Sequence, residues 1–378
     1  MSHWLIVAGD FTPLGGMDAA NHALARYLAA RAPVHLVTHR AWDDLRGAQL
    51  SVECVPRPLG AHAVGAPLLD RAGRRAWAAR RATPGARAIV NGGNCRIAGA
   101  ATWVHYLHAA YRPELRGSIV RRAKHDLVHR RDLAAERAAL ASASLVICNS
   151  VRTRDDVLRA YAIDPARVRV VYYGVDADRF SPVTPVDRDA AKAALGADRQ
   201  RPLVGFVGAL GDRRKGFDTL FTAWRALCAD ARWDADLVAV GVGSELAAWR
   251  QRAADAGLAA RIRFAGFRSD VPAVLAALDG FVHPARYEAY GLSPHEALCR
   301  GVPAIVSASA GVAERYGAAM RELLLRNPED AEELAARLRV WRERLEAWRD
   351  LAASASRALR ARTWDVMAEE IVSAVEAA

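Results

Sequence analysis

Glu288 and Glu296 stand with seven residues between them in the segment HPARYEAYGLSPHEALCRGVPAIVS, residues 283–307. The local pattern predicts a short helix over 294–300, with Ser293 as N-cap, Pro294 in the first turn and Glu296 as the acid of a capping box. Gly301 and Pro303 would end it. The amino end, with the Gly291 and Leu292 amides before it, offers unpaired N–H groups and a positive dipole end suited to phosphate. Glu296 as a mere cap and Glu288 as a solvated loop acid is the bland alternative.

A second stretch, GALGDRRKGFDTLF, sets Arg213, Arg214 and Lys215 just before a helix. Cations there oppose the macrodipole by a few tenths to about 1 kcal/mol each, so an anion is expected nearby. The chain has three lysines among 53 basic residues, and Lys215 departs from that arginine bias. In TWVHYLHAAYRP, His105 and His108 close a strand; His108, next to Ala-Ala-Tyr-Arg-Pro, is the one expected at a rim, and His105 the one expected to pack. Gly15 and Gly16, in the first strand-to-helix turn, would let backbone approach a ligand closely. NGGN, residues 91–94, is a further loop of this type, with Asn94 an acceptor-site candidate. His125 and His129 are spaced as helical zinc ligands, but arginines flank them and no third ligand is apparent in the sequence. Asp234 and Asp236 imitate a metal-binding acid pair, yet precede a strand.

Short apolar runs alternating with Ala/Leu/Arg segments of helical period predict parallel sheets in an α/β fold. Expected strands are His3–Ala8, Val34–Thr38, Ala88–Asn91, Thr102–Leu107, Leu145–Asn149 and Val168–Tyr172. A second series is Leu203–Val207, Leu237–Val240, Ile262–Phe264, Phe281–His283 and Ala304–Ser307. At 378 residues, two domains are the prior. The linker-like segment with Pro182 and Pro185 puts the boundary near residue 182, giving domains 1–182 and 183–362 and a tail helix over 363–378. Neither half opens with a dinucleotide fingerprint or a Walker motif.

The formal net charge of +11 lies wholly in the first half, where residues 1–185 hold 26 basic against 15 acidic side chains. Arg71, Arg74, Arg75, Arg80 and Arg81 crowd around Trp77, a face suited to an anionic surface. No basic leader and no apolar run of about 20 residues is present. Cytoplasm is the expected location, with peripheral contact on the inner face of an anionic membrane. No nucleic-acid module or aromatic-rich basic stretch is recognised, so nucleic acid is not the expected partner.

The glutamate pair, the intervening Gly291-Leu292 and the following Glu-Ala-Leu-x-x-Gly-Val-Pro resemble the motif of family 4 glycosyltransferases. Agreement spreads over nearly the whole chain, through CNSVRTRDDVLRAYAI, VRVVYYGVDADRF, VGVGSEL and SASAGVAE. The resemblance implies two Rossmann-like domains facing across a cleft, the GT-B arrangement, closing on the donor, with a C-terminal helix crossing back to the first domain. It implies a retaining, metal-independent transfer from a UDP- or GDP-sugar to a glycan, lipid-linked or small-molecule acceptor, with no cofactor. Arg214 and Lys215, with Arg213 sharing, would take the diphosphate. Glu288 and His108 would flank the sugar and Glu296 the ribose, with Gly16, Gly291, Leu292 and Phe267 also on the donor. Gly15, His105 and Asn94 would serve the acceptor. Ala209 stands where many relatives carry arginine. A non-hydrolysing sugar-nucleotide epimerase and a basic nucleic-acid binder are the rival readings.

Overall fold

A computed structural model describes residues 2–113, 119–211 and 213–378. The chain forms two compact units, Met1–Gly174 with Thr363–Ala378, and Val175–Arg362.

Among the described residues of the first unit, seven parallel strands lie in the spatial order Leu50–Cys54, Val34–Thr38, His3–Val7, Ala86–Asn91, Ala101–Val104, Leu145–Cys148, Val168–Val170. The central strands are apolar on both faces, as parallel strands covered by helices must be. Trp4, Leu5, Ile6 and Val7, for example, are all buried. Leu50–Cys54 is an edge strand, LSVEC, only partly covered; with no apolar run it escapes a hydrophobicity reading. The strand expected to reach Leu107 ends at Val104, before a turn at His108–Ala110. The tail helix Trp364–Glu376 buries Met367, Ala368, Ile371 and Val375 along one face and packs against the helix Met17–Ala29 of this unit. Gly174 is pressed against its start: a β-carbon there would lie 2.3 Å from the Thr363 carbonyl oxygen.

Among the described residues of the second unit, six parallel strands run Ile262–Gly266, Asp236–Val240, Leu203–Val207, Gly280–His283, Ala304–Ser307, Leu324–Leu325. Strand order reverses beside Leu203–Val207, as in dinucleotide-binding sheets, and does so in the first unit beside His3–Val7. The division after Gly174, rather than near residue 182, has a packing cause. Val175 and Phe180 enter the core of the second unit. The Arg300 guanidinium donates to the Arg179 and Ser181 carbonyls at 2.8 and 3.2 Å, and the Val175 amide to the Arg362 carbonyl at 3.0 Å. Asp234 and Asp236 are structural: Asp234 pairs with Arg342, and Asp236 with Arg201 and Arg261 at 3.0 and 2.8 Å.

Candidate active site

Doubly wound sheets bind ligands beyond the carboxyl ends of their strands, where the strand order reverses. In the second unit that point lies between Leu203–Val207 and Gly280–His283. The loops leaving these two strands carry Arg213–Lys215 and Glu288.

Arg213–Lys215 form a 3-10 turn that leads through Gly216, at φ 73°, into the helix Phe217–Cys228. Lys215 Nζ donates to Glu288 Oε2, and His283 Nε2 donates to the same oxygen at 2.9 Å. Burial would raise the Glu288 carboxyl; the Lys215 charge, the His283 hydrogen bond and the Arg214 charge outweigh it and hold the group well below the usual carboxylate range. Burial lowers the His283 imidazole, so the ring is neutral with its proton on Nε2. The Arg214 Nη1 faces the Tyr287 carbonyl at 3.5 Å, and the Arg214 carbonyl accepts from the Arg286 amide at 2.8 Å.

Arg213 is held differently. Its Nε donates to Asp218 Oδ2 at 2.8 Å, and Arg286 grips both oxygens of Asp218 at 2.8 and 2.9 Å while also donating to Glu329 at 2.8 Å and to the Arg213 carbonyl. The anionic compensation expected at this helix start therefore exists within the protein, in Asp218 of the first turn and in Glu288. Arg213 is tied to the scaffold while Lys215 meets the acid of the second loop.

The second helix starts earlier than expected, spanning Leu292–Cys299 with Gly291 as N-cap at φ 104° and no side-chain cap. Ser293 is inside the helix. Glu296 lies beyond its third residue, too far along to reach back as a capping-box acid. Its half-buried carboxyl makes no hydrogen bond among the described residues; burial pushes it up to about 8 against the pull of Arg179 and Arg300. Gly301, at φ 76°, follows the helix end as predicted. Phe267, just after Ile262–Gly266, is 67% exposed.

In the first unit the reversal point lies between His3–Val7 and Ala86–Asn91. Gly15 sits in the following loop at φ 88°, which favours glycine, whereas Gly16, the N-cap of Met17–Ala29, has an ordinary φ of −80°. The turn carrying His108 is clamped by Glu136, whose carboxylate accepts from the His108 and Ala109 amides at 2.7 and 3.2 Å and from the Tyr161 hydroxyl at 2.6 Å. His108 and Asn94 line one cavity of about 320 Å³, together with His62, Arg96, Arg131 and Asp132. Burial lowers the His108 imidazole. His105, named above for the acceptor, instead points inward: it is buried, bonded to the Tyr173 hydroxyl and pushed down by burial to about 3, and it does not line the His108 cavity. Gly15 and Gly16 do not line the His108 cavity.

Sequence reading missed His283, Arg286, Asp218 and Glu136. Only His283 left a signal: a histidine closing an apolar strand five residues before the glutamate. Arg286 and Glu136 act through partners distant in sequence, and Asp218 joins Arg286, 68 positions away, to the nearby Arg213.

The sequence pattern of glycosyl transferases group 1 matches residues 187–356, and that of glycosyltransferase family 4 matches residues 14–179. The lipopolysaccharide core biosynthesis mannosyltransferase LpsB of Rhizobium meliloti is 38% identical over 142 residues, which is 36% of this chain and 40% of that protein. A 2-deoxystreptamine N-acetyl-D-glucosaminyltransferase of Streptomyces fradiae is 35% identical over 53% of this chain and 47% of its own. The alpha-maltose-1-phosphate synthase of Mycolicibacterium smegmatis is 34% identical over 54% of each chain. The chain thus spans about half the length of the curated relatives it matches. Among solved structures, WaaG, a glycosyltransferase involved in lipopolysaccharide biosynthesis, superposes with a TM-score of 0.75 at 21% identity, covering 98% of this chain and 99% of WaaG. HepE of Anabaena in complex with UDP-glucose does so at 0.77 and 18% identity, covering all of both chains.

Proposed function

We propose, for a chain that belongs to glycosyltransferase family 4, that it transfers a sugar from a UDP- or GDP-sugar to a hydroxyl acceptor, with retention of configuration and without a metal. The observation that carries this reading is the Lys215–Glu288 pair at the reversal point of the second sheet. Arg214 and Lys215 take the diphosphate, where fixed cations stabilise charge developing on the leaving group without reorganising. Glu288 remains ionised beside them and accepts from the donor sugar. Glu296, half buried and without a hydrogen bond among the described residues, has the spare hydrogen-bonding capacity a ribose diol needs. The first helical amides after Gly291 support the phosphate end. Asn94, in the cavity of the first unit that His108 also lines, serves the acceptor.

Among the relatives, a lipopolysaccharide core mannosyltransferase and a 2-deoxystreptamine N-acetyl-D-glucosaminyltransferase favour a sugar or cyclitol acceptor. A panel of UDP-, GDP- and ADP-sugars in a thermal-shift assay identifies the donor. NMR of the product anomer then tests retention, and an inverted product refutes it. Activity unchanged by EDTA is expected. Epimerised donor formed without acceptor would favour the epimerase.

The acceptor side includes a membrane contact in this reading. Leu59 is fully exposed at φ 54°, and Val64 and Leu68 are exposed along the helix His62–Ala78, which continues with the outward-facing Arg71, Arg74 and Arg75. Arg74 and Arg75 are partly neutralised by Asp70 and Glu53, whereas Arg71 forms no ion pair among the described residues. No described helix is long and apolar enough to cross a membrane, and the contact proposed is a peripheral one. Co-sedimentation with anionic but not neutral vesicles is expected; equal binding to both, or to neither, removes this part.

A further inference from the structure

Glu288 Oε2 accepts from both Lys215 Nζ and His283 Nε2, while Glu288 Oε1 makes no hydrogen bond among the described residues. The carboxylate is therefore asymmetric: one oxygen is occupied by the protein and the other is open. His283 is only 1% exposed and closes the strand Gly280–His283. Its ring stacks beside Phe206 and Phe281, each centroid 6.4 Å away, and its Nδ1 is buried with no hydrogen-bond partner among the described residues. An orphaned buried nitrogen is costly. Leucine would fill the same apolar slot without that cost, so packing alone gives no reason for an imidazole.

We propose that His283 is a positioning residue that fixes the rotation of the Glu288 carboxylate, so that Oε2 stays turned to the imidazole and Oε1 is the oxygen presented to the donor sugar. This rests on the reading of Glu288 as a donor-facing acid. Lys215 alone cannot do the same work. Its ammonium is a point charge on a flexible stem and can follow either oxygen, and on donor binding it is drawn toward phosphate. The imidazole is held by its ring neighbours and donates along one fixed direction. The neutral state of His283 keeps it a donor at Nε2 without adding a second positive charge beside Lys215 and Arg214.

The test compares His283→Leu, His283→Gln and His283→Asn in the full chain, with Glu288→Gln as reference. A glutamine amide nitrogen falls where Nε2 lies, whereas asparagine falls short of it. His283→Leu and His283→Asn should lose about 10- to 100-fold in kcat with donor KM changed less than about threefold, the split expected when an interaction of the transition state is lost. His283→Gln should recover most of that loss. The acid limb of the kcat/KM profile should move to higher pH in His283→Leu, because Glu288 keeps only Lys215 and Arg214 to hold its proton off; a packing role would not move it. Wild-type kcat and an unmoved limb in His283→Leu overturn the proposal, as does equal loss in the Gln and Asn variants. If leucine does not fold, the Gln and Asn pair decides. A fully active Glu288→Gln instead refutes the donor-facing reading of Glu288 itself, whereas an inactive Glu288→Gln beside a wild-type His283→Leu refutes only the positioning role.

Discussion

A β-carbon on Gly216 would lie 1.8 Å from the carbonyl oxygen of Pro284. Gly216 ends the turn that carries Lys215, and Pro284 begins the loop that carries Glu288, so the backbones of the two loops touch where their charged side chains meet. Gly216 also has φ 73°, which side chains with a β-carbon adopt only at a cost.

Gly216→Ala should therefore separate the loops. Backbone strain of this kind costs about 1–3 kcal/mol, and the clash adds to it. The expected result is a lower Tm together with a loss of kcat/KM larger than the loss of stability accounts for, read from thermal melts and donor titration. A variant of wild-type activity would show that the approach is not needed.

Arg286 joins the same two loops from the other side, through Asp218, Glu329 and the Arg213 carbonyl. Arg286→Lys keeps the charge but not the planar fork that spans both Asp218 oxygens. Donor KM should rise about tenfold, with a smaller fall in kcat, because the phosphate-facing turn is loosened while Lys215 and Glu288 remain. Steady-state kinetics at several donor concentrations checks this.

Glu296 offers a pH signature. Its folded pKa, about 8, lies above the ordinary 4.5, so the folded protein binds the extra proton. Stability from this group is complete below the ordinary value and is lost as pH rises through the folded one. Glu296→Gln should remove that loss, so its Tm relative to wild type should climb between pH 5 and 8. After allowance for solvent screening of a half-buried group, the gain should be of order 1–3 kcal/mol. Donor affinity should fall in the same variant, separating binding from stability.

Glu136 holds the His108 turn by its two amides. Glu136→Ala should raise acceptor KM about tenfold while leaving slow hydrolysis of the donor, measured without acceptor, near its wild-type rate. Equal loss in both reactions would mean that the turn serves more than the acceptor.

Much of the fold was legible because the sheets are parallel and buried on both faces: runs such as LIV and LVGFV carry their own boundaries. The exceptions have local causes. Leu50–Cys54 is a half-exposed edge strand, and Leu324–Leu325 is too short to stand out. The boundary moved because Val175 and Phe180 are core residues inside a segment rich in turn formers. At the site, the two glutamates and Lys215 were readable from type and spacing. The helix start was not: Ser293-Pro294 imitates a cap, yet the left-handed Gly291 begins the helix before it. Nor could Arg286 be paired with Asp218 across 68 positions of sequence.

The hydrogen bond between the Val175 amide and the Arg362 carbonyl places the two ends of the second unit side by side. A segment whose ends meet is an insertion, and insertions of this shape can be lifted out and regrafted. Residues 175–362 could thus be exchanged as one cassette between related chains, and a short bridge between Gly174 and Thr363 would leave the first unit with its tail helix attached.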